Sequence, residues 1–413
     1  MSEFAGFGAL SRTLRVANFR NYMSGNFLGQ LGMWVQRIAV GWLTWQLTES
    51  PTWLGVIAFA DFFPNIVMAP LAGALTDRLD RLRAIRLYVL LSAIVSSAIA
   101  ALTLSGHIDI HLLLILVLTN GTIMAFNYPV RLSIIHALVG RDVLTSAISV
   151  NALLFNIARI GGPALAGFII VTWGVGPALV FTAASDIAFI AALYAVTLKE
   201  EAGNRERKPA KDIPAEIMEG FRYAAKHPGI GPLLILLAMT SVFGRPYVDL
   251  FPGFADRIFS RGADGLAWLT AMVGVGAFLG SLMLARREGV AGLTRMLVGS
   301  TLLLALSLLG FVATDIFWVA LVCTVVGGFA MVTIGVTEQT LLQTAVEGAM
   351  RGRVLSIYTL IARGGPSIGA LLMGWVAEYT GLRWPVAGGA LICIGLWVWA
   401  NRRQAAMARA MET

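Results

Sequence analysis

Apolar residues run along this chain in long blocks separated by short polar turns. Twelve blocks reach the length of about 20 mainly apolar residues that a bilayer-spanning helix needs. They cover residues 20–48, 52–75, 84–105, 111–138, 146–172, 176–198, 230–256, 264–285, 292–313, 316–343, 353–377 and 383–400. One polar segment is longer than the rest. It reads "KEEAGNRERKPAKDIPAEIMEGFRYAAKHPG", residues 199–229, and it separates six spans from six. Its second part reads as an amphipathic helix capped by Asp212, with Pro214 in the first turn and Ile213, Ile217 and Phe221 on one face. The opening residues, 1–20, lack the order of a secretory signal and read as a short basic helix on the membrane surface.

Composition supports the same class. Hydrophobic residues make up 57% of the 413, and only 13% are charged, against about a quarter in a soluble protein. The 44 glycines suit helices that pack closely in lipid. The expected fold is an all-α polytopic membrane protein of twelve transmembrane helices, in two six-helix bundles related by a pseudo-two-fold. Its expected parts are an N-terminal bundle over 1–198, a cytoplasmic linker over 199–229 and a C-terminal bundle over 230–413.

The net charge of +8 could suggest a nucleic-acid partner, but the placement of the charge argues against one. Of the 31 Lys and Arg, 23 lie at the two chain ends, in the loops from even to odd spans or in the span ends that adjoin them. Three, Arg257, Arg261 and Arg383, lie in the opposite loops. The positive-inside rule then puts both termini in the cytoplasm. The cysteines, Cys323 and Cys393, fall inside spans, and the four histidines are scattered, so neither a disulfide framework nor a metal site is suggested.

The two halves repeat at an offset near 205. "IARIGGPALAG" (157–167) matches "IARGGPSIGA" (361–370), Arg37 falls opposite Arg245, and Arg131 falls opposite Glu338. Many carriers are built from such duplications, with the site at the membrane midplane between the halves. Within the first half, "GALTDRLDRLRAI" (73–85) resembles the loop signature of the major facilitator superfamily, G-x-L-x-D-R-x-G-R-R-x-x-L. Gly73, Leu75, Asp77, Arg78, Arg81 and Ile85 fit it. Asp80 stands where glycine is usual, and Leu82 where a second basic residue is common. "GGPALAG" resembles the superfamily's antiporter motif, with Gly162, Pro163 and Gly167 in place. "GWLTWQLTESP" and "NIARIGGPALAG" look most like the branch that includes the enterobactin exporter and other secretion effectors.

That resemblance implies a gating loop of Gly73, Asp77, Arg78 and Arg81, latched between bundles in one state and broken in the other. It implies an interbundle hinge at Arg159, Gly162, Pro163, Gly167, Arg363 and Pro366. It also implies that spans 1, 4, 7 and 10 line the cavity. Charges inside spans are costly, so each must face water or a partner. Arg37, Arg131, Arg245, Asp249 and Glu338 fall on the four cavity spans, and Arg245 and Asp249 stand four apart, so they can pair on one helix face. With Asp61 they are the candidates for substrate binding and proton coupling. Asp186 falls on a span that the family places at the periphery. Trp34, Trp42, Trp45 and Trp53 cluster near one end of spans 1 and 2 and read mostly as interfacial anchors.

No phosphate-cradling loop, metal-ligand spacing or nucleophile with a base is present, so no enzyme, cofactor or metal is expected. The expected function is proton-coupled export, by antiport, of a small amphiphilic organic compound such as a siderophore or drug. The protein would sit as a multi-pass monomer in a bacterial cytoplasmic (inner) membrane, with substrate, protons and lipid as partners. A lipid or lysophospholipid carrier, and a non-transporting sensor or scaffold, are the alternatives.

Cysteines introduced at Asn204 and Asp109 should be labelled from opposite faces of the membrane; same-face labelling would refute the topology. Asp77→Asn should leave the protein in the membrane and slow transport strongly, because the latch loses a charge-assisted contact of about 1.5–3 kcal/mol. Unchanged transport would reduce the loop's charges to a topological role.

Overall fold

The computed structural model describes residues 13, 15–76, 80–140, 143–197, 213–287 and 289–412. Thirteen main helices account for nearly all of them. The first six are α1 (Ala17–Thr48), α2 (Pro51–Thr76), α3 (Arg81–Leu104), α4 (Ile110–Leu138), α5 (Leu144–Trp173) and α6 (Val175–Tyr194). The linker holds α7 (Ile213–Lys226). The second half holds α8 (Ile230–Phe243), α9 (Gly262–Ala285), α10 (Leu293–Ala313), α11 (Phe317–Ala345), α12 (Gly348–Thr380) and α13 (Arg383–Met411). Eleven of the described helical segments are long and apolar enough to cross a membrane. The exception among the expected spans is α1. At 32 residues it is long enough, but Asn21, Asn26, Gln30, Gln36 and Arg37 dilute its apolar character.

The helices form two compact units, Met1–Leu43 with Phe63–Arg207, and Thr44–Phe62 with Lys208–Thr413. The division does not fall only in the linker: the tip of the α1–α2 hairpin groups with the second half.

In the first unit, α1 and α6 meet through glycines. A β-carbon on Gly25 or Gly29 would run into Phe189, and one on Gly32 into Ser185. Such small-residue contacts let helices approach where dispersion must supply the attraction. The charged loop before α3 has work in the fold. Asp80 N-caps α3, its carboxylate accepting from the Arg83 N–H at 2.6 Å. That accounts for an aspartate where the loop signature usually has glycine. Arg86 donates to the carbonyls of Leu193 (2.9 Å) and Val196 (3.0 Å), capping the carboxyl end of α6. Asp77 and Arg78 lie outside the described residues; Gly73 lies in α2, and Arg81 opens α3.

In the second unit, the expected helix over 230–256 breaks. Pro246 lacks an N–H, and its ring opposes the carbonyl four residues back. Gly369 of α12 lies against both that carbonyl, Val242, and the Pro246 ring. Beyond the break come a 3-10 turn (Pro246–Leu250), one α turn (Phe251–Gly253) and a π turn (Phe254–Ile258). Asp249 therefore sits in a 3-10 turn, where residues four apart no longer share a face. By contrast, Pro129 is carried inside an unbroken α4.

The linker helix differs in detail from its sequence reading. Asp212, its expected cap, lies outside the described residues. Small residues, Gly220 and Ala224, face inward, and Gly220 lies on Arg353 and Ile357 of α12. Glu219 pairs with Arg353 at 2.7 Å, while Phe221 is 43% exposed.

The chain's last helix is tied down by Glu412. Its carboxylate accepts from the N–H groups of Gly292 and Thr294, both at 2.6 Å, at the start of α10. Burial alone would raise its pKa; those N–H groups and Arg287 outweigh it and hold the carboxyl below the usual range. The stabilisation is therefore complete above the ordinary glutamate pKa and fades as pH falls through the lowered folded value. Glu412→Gln should cost up to about 1 kcal/mol at neutral pH, reduced by solvent exposure. Thermal unfolding in detergent should show the gap between wild type and variant closing below about pH 4. A gap independent of pH would mean that the carboxylate's charge is irrelevant to the cap.

Candidate functional site

Each unit buries an acid beside a partly buried arginine, and each pair has its own setting. In the second unit the pair is Glu338 of α11 with Arg245, at the break after α8. Arg245 Nη2 donates to Glu338 Oε2 at 3.5 Å. The guanidinium lies beside Gly335, one turn before Glu338, where a β-carbon would be in ordinary contact with Nη2 at 3.6 Å. Tyr358 of α12 closes the group, its hydroxyl donating to the Gly335 carbonyl at 3.3 Å.

Glu338 is wholly buried, yet its second oxygen, Oε1, has no hydrogen-bond partner. A carboxylate inside a membrane protein normally satisfies every oxygen, because an unpaired buried acceptor costs about 1–3 kcal/mol or more. One long contact to an arginine leaves Glu338 under-compensated. Elsewhere in the second unit, the buried hydroxyls of Ser241 and Tyr247 also lack partners. Tyr247 stands in an aromatic cluster with Phe251 (5.2 Å between centroids) and Phe311 (5.8 Å).

In the first unit, Arg131 of α4 lies over the Phe189 ring of α6 at 4.9 Å, a cation–π contact worth more when desolvated. Its Nε is buried without an acceptor. Asp186, one turn before Phe189 on α6, is buried and accepts from Ser96 of α3 at 2.7 Å. It also interacts electrostatically with Arg131. The polar seam continues from Ser92 to Asn120 (3.1 Å) and separately from Asn26 to Asn151 (3.2 Å).

The candidates thus separate. Arg245 and Glu338 meet, although the sequence paired Arg245 with Asp249 and set Glu338 against Arg131. The guanidinium reaches across to α11 from the residue just before the break at Pro246. Arg37 lies in α1 with its guanidinium 6.0 Å from the Trp34 ring centroid. Asp61 lies in α2, within the stretch that groups with the second unit. Arg159, Gly162, Pro163 and Gly167 lie in α5, and Gly162 packs on Trp34 of α1. Arg159 Nε is buried without a partner. Arg363 and Pro366 lie in α12 beside Gly365, which packs on Ser241 of α8. The repeated glycine–proline motif therefore makes the same kind of contact in each unit.

Five residues have settings that the sequence does not announce. Asp186 was placed at the periphery, but is tied to a cavity-helix arginine. Tyr358 and Tyr247 carried no charge to mark them. Trp42 and Trp45, expected as interfacial anchors, are 8% and 2% exposed. Polar neutral residues inside apolar blocks, such as Asn26 and Gln30, were the available signal.

Comparison with known proteins gives the family. The chain is 26% identical to the staphyloferrin A transporter of Staphylococcus aureus, over 90% of this chain and 93% of that protein. It is 29% identical to the multidrug efflux pump Tap of Mycolicibacterium fortuitum, over 84% and 85%. It is 26% identical to the enterobactin exporter EntS of Escherichia coli O1:K1 / APEC, over 93% and 88%. The fold is similar to the crystal structure of a bacterial homologue of the human lysosomal transporter Spinster. That likeness has a TM-score of 0.65 at 17% identity, over 98% of each chain. The family model described as transmembrane secretion effector matches residues 9–411. With its two six-helix halves and its buried charges, the chain belongs to this transmembrane secretion effector family of the major facilitator superfamily, and is a membrane transporter rather than an enzyme.

Proposed function

We propose that this transporter is a proton-coupled exporter of small amphiphilic organic compounds of the siderophore or drug type, working by alternating access. It acts as a monomer in a bacterial cytoplasmic membrane with both termini inside. Relatives described as an enterobactin exporter and a multidrug efflux pump support the direction and the substrate class.

The observation that carries the coupling is the half-satisfied Glu338. Its Oε1 is buried without a partner, and Oε2 has a single 3.5 Å contact from Arg245. A proton satisfies such a carboxylate and removes the cost of an under-compensated charge in an apolar interior. Moving Arg245 away would favour proton uptake, and bringing it back would favour release. A carrier needs a group whose affinity differs between its two states. Arg245 stands just before the break at Pro246, where α8 can alter its course without disturbing α11. Arg37, Arg131, Asp61 and Asp249 supply polar contacts for the substrate, and the aromatic side chains supply apolar ones.

Glu338→Gln should abolish accumulation driven by a pH gradient in proteoliposomes while leaving substrate exchange between equal pools intact. Ethidium and a catecholate siderophore serve as probes. Uphill transport of either probe by the variant would remove Glu338 from the coupling role. Loss of both activities would make it a folding or substrate residue instead.

A further inference from the structure

Arg159 stands at membrane depth with nothing to balance it. It lies near the middle of the 30-residue α5, so either end of the helix is about 20 Å away. Its Nε is buried without an acceptor. Among the described residues, no hydrogen bond, ion pair or ring contact reaches its guanidinium, and no acid acts on it electrostatically. Arg131, by contrast, has Asp186 and the Phe189 ring. A charge at that depth is expensive and marks a place where something must meet it.

Trp34 of α1 covers this turn of α5. A β-carbon on Gly162 would collide with the Trp34 side chain, and the indole meets the Phe155 ring edge-on with centroids 6.2 Å apart. Phe155 and Gly162 are two turns apart on one face of α5, and Arg159 stands between them on that face. The indole therefore lies along the turn that carries the arginine. Its Nε1 is a second buried donor without an acceptor. Arg37, three residues further along α1, brings another guanidinium to within 6.0 Å of the Trp34 ring centroid.

This chemistry is one-sided. Trp34 Nε1 and the Arg159 guanidinium can only donate, and both lie in the first unit. Donors of this kind favour an ionised oxygen, because a charge-assisted hydrogen bond is roughly twice as strong as a neutral one and a low-dielectric setting strengthens it further. A cation would meet two guanidinium groups and would be repelled. A lipid phosphate would have to leave the membrane surface to reach the middle of α5. An inorganic anion would satisfy the donors but leave the rings unused. Phe155 is 37% exposed, and its face offers an apolar contact to a ring carried beside the oxyanion.

We propose that Trp34 and Arg159 form a seat for an ionised oxygen borne on an aromatic ring, a carboxylate or a phenolate, with Phe155 against the ring. The proposal rests on the exporter reading and narrows its substrates to compounds with an acidic aromatic group. The indole N–H and the guanidinium both donate to the oxyanion, Arg37 adds attraction at longer range, and Gly162 keeps the indole in place. The seat selects the ionised form of a ring compound over a neutral one of the same shape.

Calorimetric titration of the purified full-length protein at neutral pH tests this with two probes, naphthoate and its neutral isostere naphthamide. Naphthoate should bind about tenfold more tightly. Arg159→Gln should abolish that preference, and Arg159→Lys should restore part of it. Trp34→Phe keeps a ring but loses the N–H, and should reduce the preference about threefold. Naphthamide binding should be unchanged in all three variants, and thermal stability should not fall in Arg159→Gln, which loses no contact of the fold. Equal binding of the two probes by wild type, or a preference that survives both Arg159→Gln and Trp34→Phe, would overturn the seat. In proteoliposomes, Arg159→Gln should slow a catecholate siderophore about tenfold while sparing ethidium. Parallel changes for both would make Arg159 a hinge residue and overturn the seat. A naphthoate preference that follows Arg159 in a wild-type protein that transports neither compound would leave the seat standing and remove the exporter reading.

Discussion

A polar group inside a hydrocarbon slab has no water to bond, and an unsatisfied one costs several kcal/mol. The arrangement of this chain follows from that constraint. Helices solve it for the backbone everywhere except at their ends, and here several of those ends are closed by charged side chains. Asp80 caps α3, Asp109 caps α4 through the N–H groups of His111 and Leu112, Arg86 caps α6 and Glu412 caps α10. The charge concentrated between apolar blocks is thus structural as well as topological.

The same constraint gives the buried pairs their meaning. In the first unit Asp186 is satisfied by Ser96 and balanced by Arg131, which in turn lies on Phe189. In the second unit Glu338 has one long contact and an orphaned oxygen. Of the two acids, the less satisfied one has more to gain from a proton or a polar ligand. The broken helix between Gly244 and Ile258 bears Arg245. A regular helix would have set Arg245 and Asp249 on one face.

Much of the fold was legible in the sequence. Block length gave the spans, the offset near 205 gave the repeat, and the 73–85 loop with the glycine–proline motif of span 5 gave the superfamily. The six charged candidates were visible because a charge in an apolar block has few explanations. Their partners were not visible. Arg245 seemed matched with Asp249 by spacing, but spacing presumes an unbroken helix. Trp45 looked like an interfacial anchor because position along a span says nothing of which neighbour covers the ring.

By itself, then, the sequence determined the class, the number and order of the helices, the duplication and the set of ionisable residues held at membrane depth. These follow from local composition, since a stretch of about 20 apolar residues has one stable form in a bilayer. Tertiary structure decided which acid is left half-satisfied, which arginine serves it, and why Asp80 stands where glycine is usual. It also decided that the hairpin tip groups with the second half of the chain. Each of these depends on which faces of different helices meet. Residues as far apart as Trp45 and Asp256, or Ser50 and Glu378, share no local pattern that could announce their contact.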